Sequence, residues 1–328
     1  MMMSAFLGCQ NTPKIHPKFL ENFKTDIKKT SARFEGVTSL TYSDKSGYLL
    51  IGRESGDIEI WDTKAENSKQ IISGAHENRV STLQFTIDGK YFFSASPFLD
   101  AIKLWDVQTN ALLHTVPEFR GPMTHTPIDD IYLLAETSSV YFFDAKNKHL
   151  IDRRFNTSGG VTSFAIDKKT NFIAVGTASG SIDLFEMLMI DQIPSLKKIK
   201  RIKPYAVGEW VIALHFSPDS KSLYSVSRSG EIDEWSIPSF KKIRTLNSNA
   251  AWLSNAKFFL DGKFLALVGD SDGGGVSGNS FVEIITLSSG ASVMKKMTTN
   301  YAQIEYIPPL NQLMAISVRS VIMIDIQK

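Results

Sequence analysis

Short apolar strands that end in a large apolar residue, followed by a small or acidic one, recur along the whole chain. Seven such pairs can be aligned: Trp61-Asp62, Trp105-Asp106, Phe143-Asp144, Phe185-Glu186, Trp235-Ser236, Ile285-Thr286 and Ile324-Asp325. Their second members lie 44, 38, 42, 50, 50 and 39 residues apart. A unit of about 40 residues is too small to bury a core alone, so we expect seven units that stack on one another.

Each unit except the third opens with a segment that is apolar at its first, fourth and sixth positions. These segments cover residues 37–42, 80–85, 161–166, 211–216, 253–258 and 301–306. The pattern is typical of a strand packed tightly among others, and we predict that these are the innermost strands. Turns such as Asp88-Gly89 and Asp261-Gly262 then predict an antiparallel second strand. In the third unit the first strand is reduced to residues 123–127.

A Ser-Gly turn precedes the closing strand in three of the units, at Gly56, Gly180 and Gly230. Alternation after the glycine places Ile58 and Ile60, or their equivalents, on one face and the charged residues on the other. A fourth strand follows the closing pair. Four antiparallel strands in each of seven units predict an all-β fold, a seven-bladed β-propeller.

The closing Trp-Asp pairs and the repeat length resemble the WD-repeat family, over essentially residues 15–328. The resemblance implies one propeller domain over that range, preceded by a tether or signal remnant at residues 1–14. In the family an N-terminal segment usually completes the last blade, and residues 18–27 are assigned that role here. Closing the ring in this way would remove exposed sheet edges.

The family also implies a polar network inside each blade, linking a loop His, a Ser or Thr, a turn Asp and the Trp. Only the second unit offers candidates for it. They are His76, Ser94 or Ser96, Asp100 and Trp105. We expect the other blades to rest on apolar stacking between blades, because a hydrogen bond adds only about 1 kcal/mol net.

Composition narrows the class of protein but not its partner. Apolar residues make up 43% of the chain, charged residues 21%, and the net charge is +2. A dedicated nucleic-acid binder usually carries a basic excess, so we expect no nucleic-acid partner. These values are typical of a globular domain, which we expect to be monomeric.

The single cysteine, Cys9, follows Leu7-Gly8 in a segment that resembles the end of a bacterial lipoprotein signal. This predicts lipidation of Cys9 and a membrane-anchored periplasmic location. The segment before it is shorter than a secretory apolar region and has no Lys or Arg. The alternative is therefore an N-terminus without lipid and a cytoplasmic protein.

Motifs for catalysis and metal binding are missing from the sequence. The six histidines show no pair at ligand spacing, and neither a Gly-x-Ser-x-Gly elbow nor a P-loop occurs. The Gly-rich stretch 270–279 begins like a calcium loop but has Phe281 where the loop needs a Glu. We expect no enzyme, metal, cofactor or small-molecule substrate. The alternative function is a propeller-type hydrolase with its site in the central channel.

Arg and Trp residues cluster on the face formed by the turns between strands two and three and by the loops between blades. Arg53, Arg228 and Arg319 are predicted to occupy matching turns, whereas Arg79, Trp210 and Trp252 precede first strands. WD-repeat proteins commonly bind peptides or protein segments across this face, and Arg with Trp is typical of interface hot spots. These six residues are the predicted partner-binding site, for a protein or peptide. Basic runs at 196–203 and 241–244 predict a second, rim patch.

Overall fold

The computed structural model describes residues 36–65, 67–96, 101–117, 119, 121–270, 280–297, 303–316 and 321–326. These residues form seven antiparallel sheets in a ring. Six of the sheets have four described strands each, and the seventh has three. The sequence prediction of an all-β, seven-bladed propeller is therefore confirmed. Residues 18–27, assigned to the closing strand of the seventh blade, lie outside the described residues.

The strands follow the chain in order from the centre of each blade to its outer edge. Blade one contains β1 (Val37–Ser43), β2 (Tyr48–Arg53), β3 (Ile58–Asp62) and β4 (Asn67–Ile72); blade two β5 (Thr82–Phe85), β6 (Tyr91–Ala95), β7 (Ile102–Asp106) and β8 (Leu112–Val116); blade three β9 (Met123–His125), β10 (Ile131–Glu136), β11 (Ser139–Asp144) and β12 (His149–Asn156); blade four β13 (Val161–Asp167), β14 (Phe172–Thr177), β15 (Ile182–Ile190) and β16 (Ile193–Ile202). Blade five contains β17 (Val211–Phe216), β18 (Ser222–Ser227), β19 (Glu231–Ser236) and β20 (Lys242–Asn247); blade six β21 (Trp252–Phe259), β22 (Phe264–Asp270), β23 (Ser280–Thr286) and β24 (Ser292–Met297); blade seven β25 (Gln303–Ile307), β26 (Gln312–Ile316) and β27 (Val321–Asp325).

The apolar core lies between neighbouring blades. One cluster joins Leu184 of blade four to Leu223 and Trp235 of blade five. Another joins Leu49 of blade one to Met314 of blade seven, so the ring is closed by packing as well as by chain order. Each fully buried aliphatic side chain contributes roughly 1.5–3 kcal/mol, which explains why units of this size are stable only as a ring.

The first strands contact one another around the centre, as the sequence predicted. Their small polar residues are used to link blades. Thr38 and Ser39 both donate to the carbonyl of Val80 in the next blade, at 2.7 and 2.9 Å. Blade four repeats the arrangement, where Thr162 and Ser163 donate to Val211, each at 2.7 Å. In blades one and four, these first-strand hydroxyl groups are therefore already engaged by the next blade.

The turn glycines between strands two and three hold the loop that leads into the next blade. Gly180 has φ +76°, and its carbonyl accepts the N–H of Tyr205 at 3.4 Å. Gly56 and Gly230 have φ +86° and +89°, and their carbonyls accept from His76 and Ser248. Each of these turns therefore supports its neighbour's loop. At Gly56 and Gly180 only glycine fits, because the loop backbone lies directly against the turn, whereas at Gly230 the nearest atom is the hydroxyl of Ser248.

The charged face of the third strands is buried. The alternation of apolar and charged residues predicted two different faces, but it did not predict that both would be covered. Glu59, Asp183, Asp233 and Glu283 are at most 2% exposed. They are buried because both faces of a blade pack against neighbours. Asp183 pairs with Lys198 at 2.7 Å and Arg201 at 2.8 Å, and Asp233 pairs with Lys242 at 2.7 Å. Glu283 accepts the side-chain amide of Asn249 at 2.8 Å, and Glu59 pairs with Arg53.

No helix in the described part of the chain is both long and apolar enough to cross a membrane.

Candidate functional site

Three of the residues predicted to bind a partner meet on one face of the ring. Trp210 directly precedes β17, Trp252 begins β21, and Arg228 follows β18. The backbone fixes this arrangement, because Arg228 donates its N–H to the carbonyl of Trp210 at 2.9 Å. The carbonyl of Arg228 in turn accepts the N–H of Leu253 at 2.7 Å. Arg228 therefore lies between the two inter-blade loops that carry the tryptophans.

The guanidinium of Arg228 lies over both indole rings. Its Cζ lies 3.5 Å from the centroid of the Trp210 ring and 4.5 Å from that of Trp252. Stacking a cation on an aromatic face contributes about 0.5–2 kcal/mol for each ring. Trp210 is 39% exposed and Trp252 is 44% exposed, so large parts of both rings face solvent. We call these three residues the Trp–Arg stack.

The cation in the Trp–Arg stack is poorly neutralised. Its Nε is buried and has no hydrogen-bond partner among the residues the structure describes. Burial lowers the pKa of Arg228, and the charge of Glu209 partly opposes that shift. The Glu209 carboxylate is itself engaged, because it accepts the N–H of Ser229 at 2.6 Å. Arginine stays protonated in proteins, so the stack presents a positive charge.

A cavity of about 400 Å³ opens beside the Trp–Arg stack at this end of the central channel. Its described walls come from blades two to six: Thr82, Gly121, Pro122, Met123, Val161, Thr162, Trp210, Ile212, Arg228, Ser254 and Asn255. Arg228 is the one ionisable side chain among these lining residues. The cavity therefore combines apolar walls, small neutral polar groups and a single cation.

Arg53 does not occupy the same turn position as Arg228, so that part of the sequence prediction is wrong. The carbonyl of Arg53 accepts the N–H of Gly56, whereas the carbonyl of Ser227 accepts the N–H of the equivalent Gly230. Arg53 is thus equivalent to Ser227, one residue before Arg228. Its side chain pairs with the buried Glu59 instead of stacking on an aromatic ring.

The remaining predicted binding residues are spread more widely. Arg79 is exposed and directly precedes Val80, the same place that Trp210 and Trp252 occupy ahead of their first strands. Arg319 and Cys9 lie outside the described residues, as does most of the Gly-rich stretch. Its first residue, Asp270, ends β22 and accepts the hydroxyl of Ser280 at 2.8 Å. Whether Arg79 and Arg319 extend the site stays a prediction.

The basic runs of blades four and five lie on the outermost strands β16 and β20, but many of their charges are used within the chain. Lys198 and Arg201 pair with Asp183, and Lys242 pairs with Asp233. Arg244 pairs with Glu234 at 2.6 Å. These contacts fasten the outer strand of each blade to the third strand and leave a weaker rim patch than the sequence suggested.

The far end of the channel holds a second cavity, of about 550 Å³, with His125, His215 and Lys257 among its lining residues. Burial lowers the pKa of His215 to about 4, so this side chain is neutral at pH 7. Lys257 pairs with Glu305 at 2.7 Å. Within the described residues, no group of three or more His, Cys, Asp or Glu side chains could hold a metal ion.

Comparisons with known proteins found relatives of this chain by sequence and by structure. No family model matches the chain. The Protein LST8 homolog of Drosophila melanogaster is 23% identical over 206 residues, 61% of this chain and 65% of that protein. The SEC12-like protein 2 of Arabidopsis thaliana is 25% identical over 203 residues, 58% of this chain and 48% of that protein. The chain thus spans less than two thirds of the length of either curated relative.

The crystal structure of the Myceliophteria thermophila Cps50 (Swd1) β-propeller domain superposes with a TM-score of 0.72 at 17% identity. The superposition covers 92% of this chain and 99% of that one. The sequence relatives are themselves WD-repeat proteins. The chain is therefore a seven-bladed β-propeller that is similar in sequence to WD-repeat proteins.

The WD-repeat polar network is present in blade two and, in altered form, in blade five. Ser94 accepts the indole N–H of Trp105 at 2.8 Å and lies 2.7 Å from Nε2 of the buried His76. Asp100, the fourth predicted member, lies outside the described residues. The predicted contacts among His76, Ser94 and Trp105 are present in blade two, but the sequence did not predict the altered network of blade five.

In blade five, Tyr205 takes the place of the loop histidine. Its hydroxyl lies 2.8 Å from Oγ of Ser225, which also accepts the indole N–H of Trp235 at 3.0 Å. Burial raises the pKa of Tyr205 well above its ordinary value, so the hydroxyl stays protonated. The sequence did contain a signal for this network. Ser225 lies ten residues before Trp235, much as Ser94 lies eleven residues before Trp105 in blade two.

Replacing Ser225 with alanine should destabilise the protein by about 1–3 kcal/mol, because the buried indole N–H of Trp235 loses its acceptor and the Tyr205 hydroxyl loses one of its contacts. Urea unfolding followed by tryptophan fluorescence measures the change. Ser55→Ala is the matched control, since that hydroxyl is exposed and donates to Asp57. Equal unfolding midpoints for the two variants would contradict a structural role for the Ser225 network.

Proposed function

We propose that this WD-repeat propeller is a noncatalytic platform that binds a segment of a partner protein across the face carrying the Trp–Arg stack. WD-repeat propellers are typically scaffolds for protein interactions. The proposal goes beyond that general role by assigning the contact surface to Trp210, Arg228 and Trp252. Arg79 and Arg319 are proposed as outer contacts.

The single observation that carries the proposal is the Trp–Arg stack itself. Two large apolar rings stay 39% and 44% exposed although each already packs against a guanidinium. Trp and Arg are enriched among residues that dominate binding energy at protein interfaces. Because Arg228 fixes both rings before a partner arrives, less rotamer freedom is lost on binding, and this favours affinity.

The alternative function, a hydrolase with its site in the channel, has weaker support. The hydroxyls of Thr38, Ser39, Thr162 and Ser163 are engaged by carbonyls of the next blade. Asn255 likewise accepts the N–H of Ile304 at 3.3 Å. These contacts favour a structural use of the channel side chains in the described part of the ring. Membrane tethering through Cys9 stays a proposal from the sequence alone, and so does a periplasmic location.

Affinity capture followed by quantitative mass spectrometry tests the proposed surface. We expect the double variant Trp210→Ala with Trp252→Ala to lose captured partners by at least about tenfold, the loss typical of interface hot spots. The matched control is Ile71→Ala with Ile243→Ala, which removes two apolar side chains that are 51% and 54% exposed on outer strands. Both proteins should keep the melting temperature within a few degrees of the wild type.

The outcome for each variant decides the question. If the tryptophan variant retains the partners that the control retains, the binding surface lies elsewhere on the propeller. If the control loses them as well, the outer strands take part in binding and the assignment to the Trp–Arg stack is too narrow.

A further inference from the structure

The Trp–Arg stack holds a positive charge that the chain itself does not fully balance. Among the described residues, Glu209 is the acid that influences Arg228, and its carboxylate accepts the backbone N–H of Ser229. The Nε of Arg228 is buried with no hydrogen-bond partner in the described part of the protein. A half-buried cation of this kind is more stable when an anion contacts it, because screening by water is reduced there.

The cavity beside Arg228 has the chemistry of an anion site. Its lining residues include no acid, whereas Thr82, Ser254 and Asn255 contribute neutral polar groups. Asn255 accepts the N–H of Ile304 through Oδ1, which leaves its amide N–H₂ available as a donor. A guanidinium with neutral hydrogen-bond donors beside it can bind a carboxylate through charge-assisted hydrogen bonds.

We propose that this cavity binds the side-chain carboxylate of an Asp or Glu within an extended segment of the partner protein, an inference that rests on the proposed function. The carboxylate pairs with Arg228 and accepts a hydrogen bond from Asn255. The residues on either side of the acid pack on the exposed parts of Trp210 and Trp252.

The two tryptophans favour an internal acidic residue over a free C-terminus. Trp210 and Trp252 both contact the Arg228 guanidinium, and each is more than one-third exposed. A chain that continues in both directions past the carboxylate can cover both rings. A C-terminal carboxylate would leave one of them uncovered, with less apolar area buried.

The size of the cavity agrees with this occupant. A volume of about 400 Å³ lies near the lower end of the range for small-molecule sites. It accommodates one side chain and adjoining backbone, not a folded domain. Selectivity for Asp or Glu over Asn or Gln would come from Arg228, the single charged residue in the cavity wall, since a carboxamide of the same shape cannot form the ion pair.

Binding of designed peptides to the full-length chain tests the proposal. The probes are fluorescein-labelled nonapeptides, blocked at both ends, from a library with varied flanking residues and a central Asp, Glu, Asn, Gln or phosphoserine. A further set carries its carboxylate only as a free C-terminus. Fluorescence anisotropy gives the affinities. We expect the best Asp or Glu peptides to bind roughly tenfold to a hundredfold more tightly than their Asn or Gln counterparts.

Three variants assign the preference to the cavity. Arg228→Gln should abolish the discrimination between Glu and Gln peptides. Asn255→Asp keeps the acceptor for Ile304 and adds a negative charge to the cavity wall, so it should remove acidic-peptide binding even if Arg228→Gln fails to fold. Lys241→Gln, which removes one exposed charge from the rim, should change neither affinity nor selectivity.

Each other result overturns the proposal in a distinct way. Peptides that bind at the stack without any preference for Asp or Glu contradict the carboxylate site and leave the platform function standing. Preference for phosphoserine or for a free C-terminus identifies a different anion. If no peptide binds and the tryptophan variant still captures its partners, both the cavity and the proposed surface are wrong.

Discussion

Replacing Gly180 with alanine should lower the free energy of unfolding by about 2–5 kcal/mol, and the same change at Gly208 should lower it by only about 1 kcal/mol. Both glycines have positive φ, +76° and +88°, so the two variants share the backbone strain. A Cβ at position 180 would lie 2.4 Å from the carbonyl oxygen of Ala206 and 2.9 Å from that of Tyr205. A Cβ at position 208 would meet nothing within 4 Å.

The difference between these two variants isolates the contact between the turn and the inter-blade loop. Urea unfolding at pH 7, followed by far-ultraviolet circular dichroism, gives the midpoints and slopes for both. Since Trp210 lies in the same inter-blade loop, we also expect Gly180→Ala to change tryptophan fluorescence in the folded state. Equal losses for the two variants would show that the loop moves aside without penalty and that the turn does not support it.

Replacing Asp183 with asparagine should destabilise the protein by about 2 kcal/mol at pH 7 and by progressively less as the pH falls. Burial alone raises the pKa of this carboxyl, but hydrogen bonds from Arg201 and Lys198 outweigh burial and bring the pKa below its ordinary value of 3.8. The carboxyl therefore contributes stability above the pKa of the unfolded chain, and that contribution is lost as pH falls through the folded-state pKa. The partner side chains are 37% and 41% exposed, which limits the effect.

Unfolding midpoints measured from pH 7 to pH 3 provide the check. The difference between the wild type and Asp183→Asn should begin to shrink as the pH falls through 3.8, because the wild-type carboxyl then becomes protonated in the unfolded chain before it does so in the folded protein. Asp191→Asn is the matched control, since Asp191 lies exposed in the turn between β15 and β16. A difference between wild type and Asp183→Asn that stays constant over this range would indicate a packing effect without an ion pair.

The sequence predicted the blades well because their signal is local. The pattern that opens each unit placed the start of a first strand at Val37, Val161, Val211 and Leu253, each at or within one residue of an observed strand start. The same pattern put Trp210 and Trp252 immediately ahead of their strands, and both now lie beside Arg228. Two members of the site could therefore be found from spacing alone.

Arg228 was predicted as well, but its match to Arg53 was wrong. The turns of blades one and five are equally long, since Gly52 pairs with Ile58 and Val226 with Ile232. Counting back from the turn glycine aligns Arg53 with Ser227, one residue before Arg228. Because of this difference of one residue, the guanidinium of Arg53 pairs with the buried Glu59, whereas that of Arg228 stacks on the indole rings. Glycine was the better reference point, since its positive φ fixes the turn.

Burial of the third-strand acids was missed for a different reason. Alternation shows which residues share a face, but it cannot show that both faces are covered, as they are in a ring of packed blades. The paired cations were visible in the sequence, at Lys198 and Arg201 after Asp183 and at Lys242 after Asp233. If these ion pairs had been recognised in the sequence, fewer free positive charges would have been expected on the rim.

The support that each turn glycine gives to the next inter-blade loop runs in one direction around the ring. The loop before Trp210 is held by Gly180 of blade four, and the loop before Trp252 is held by Gly230 of blade five. A force applied to either tryptophan therefore reaches the blade that precedes it in the chain as well as its own blade. A partner that pulls on Trp210 and Trp252 together would load blades four, five and six, so the mechanical load of binding extends beyond the two blades that carry the tryptophans.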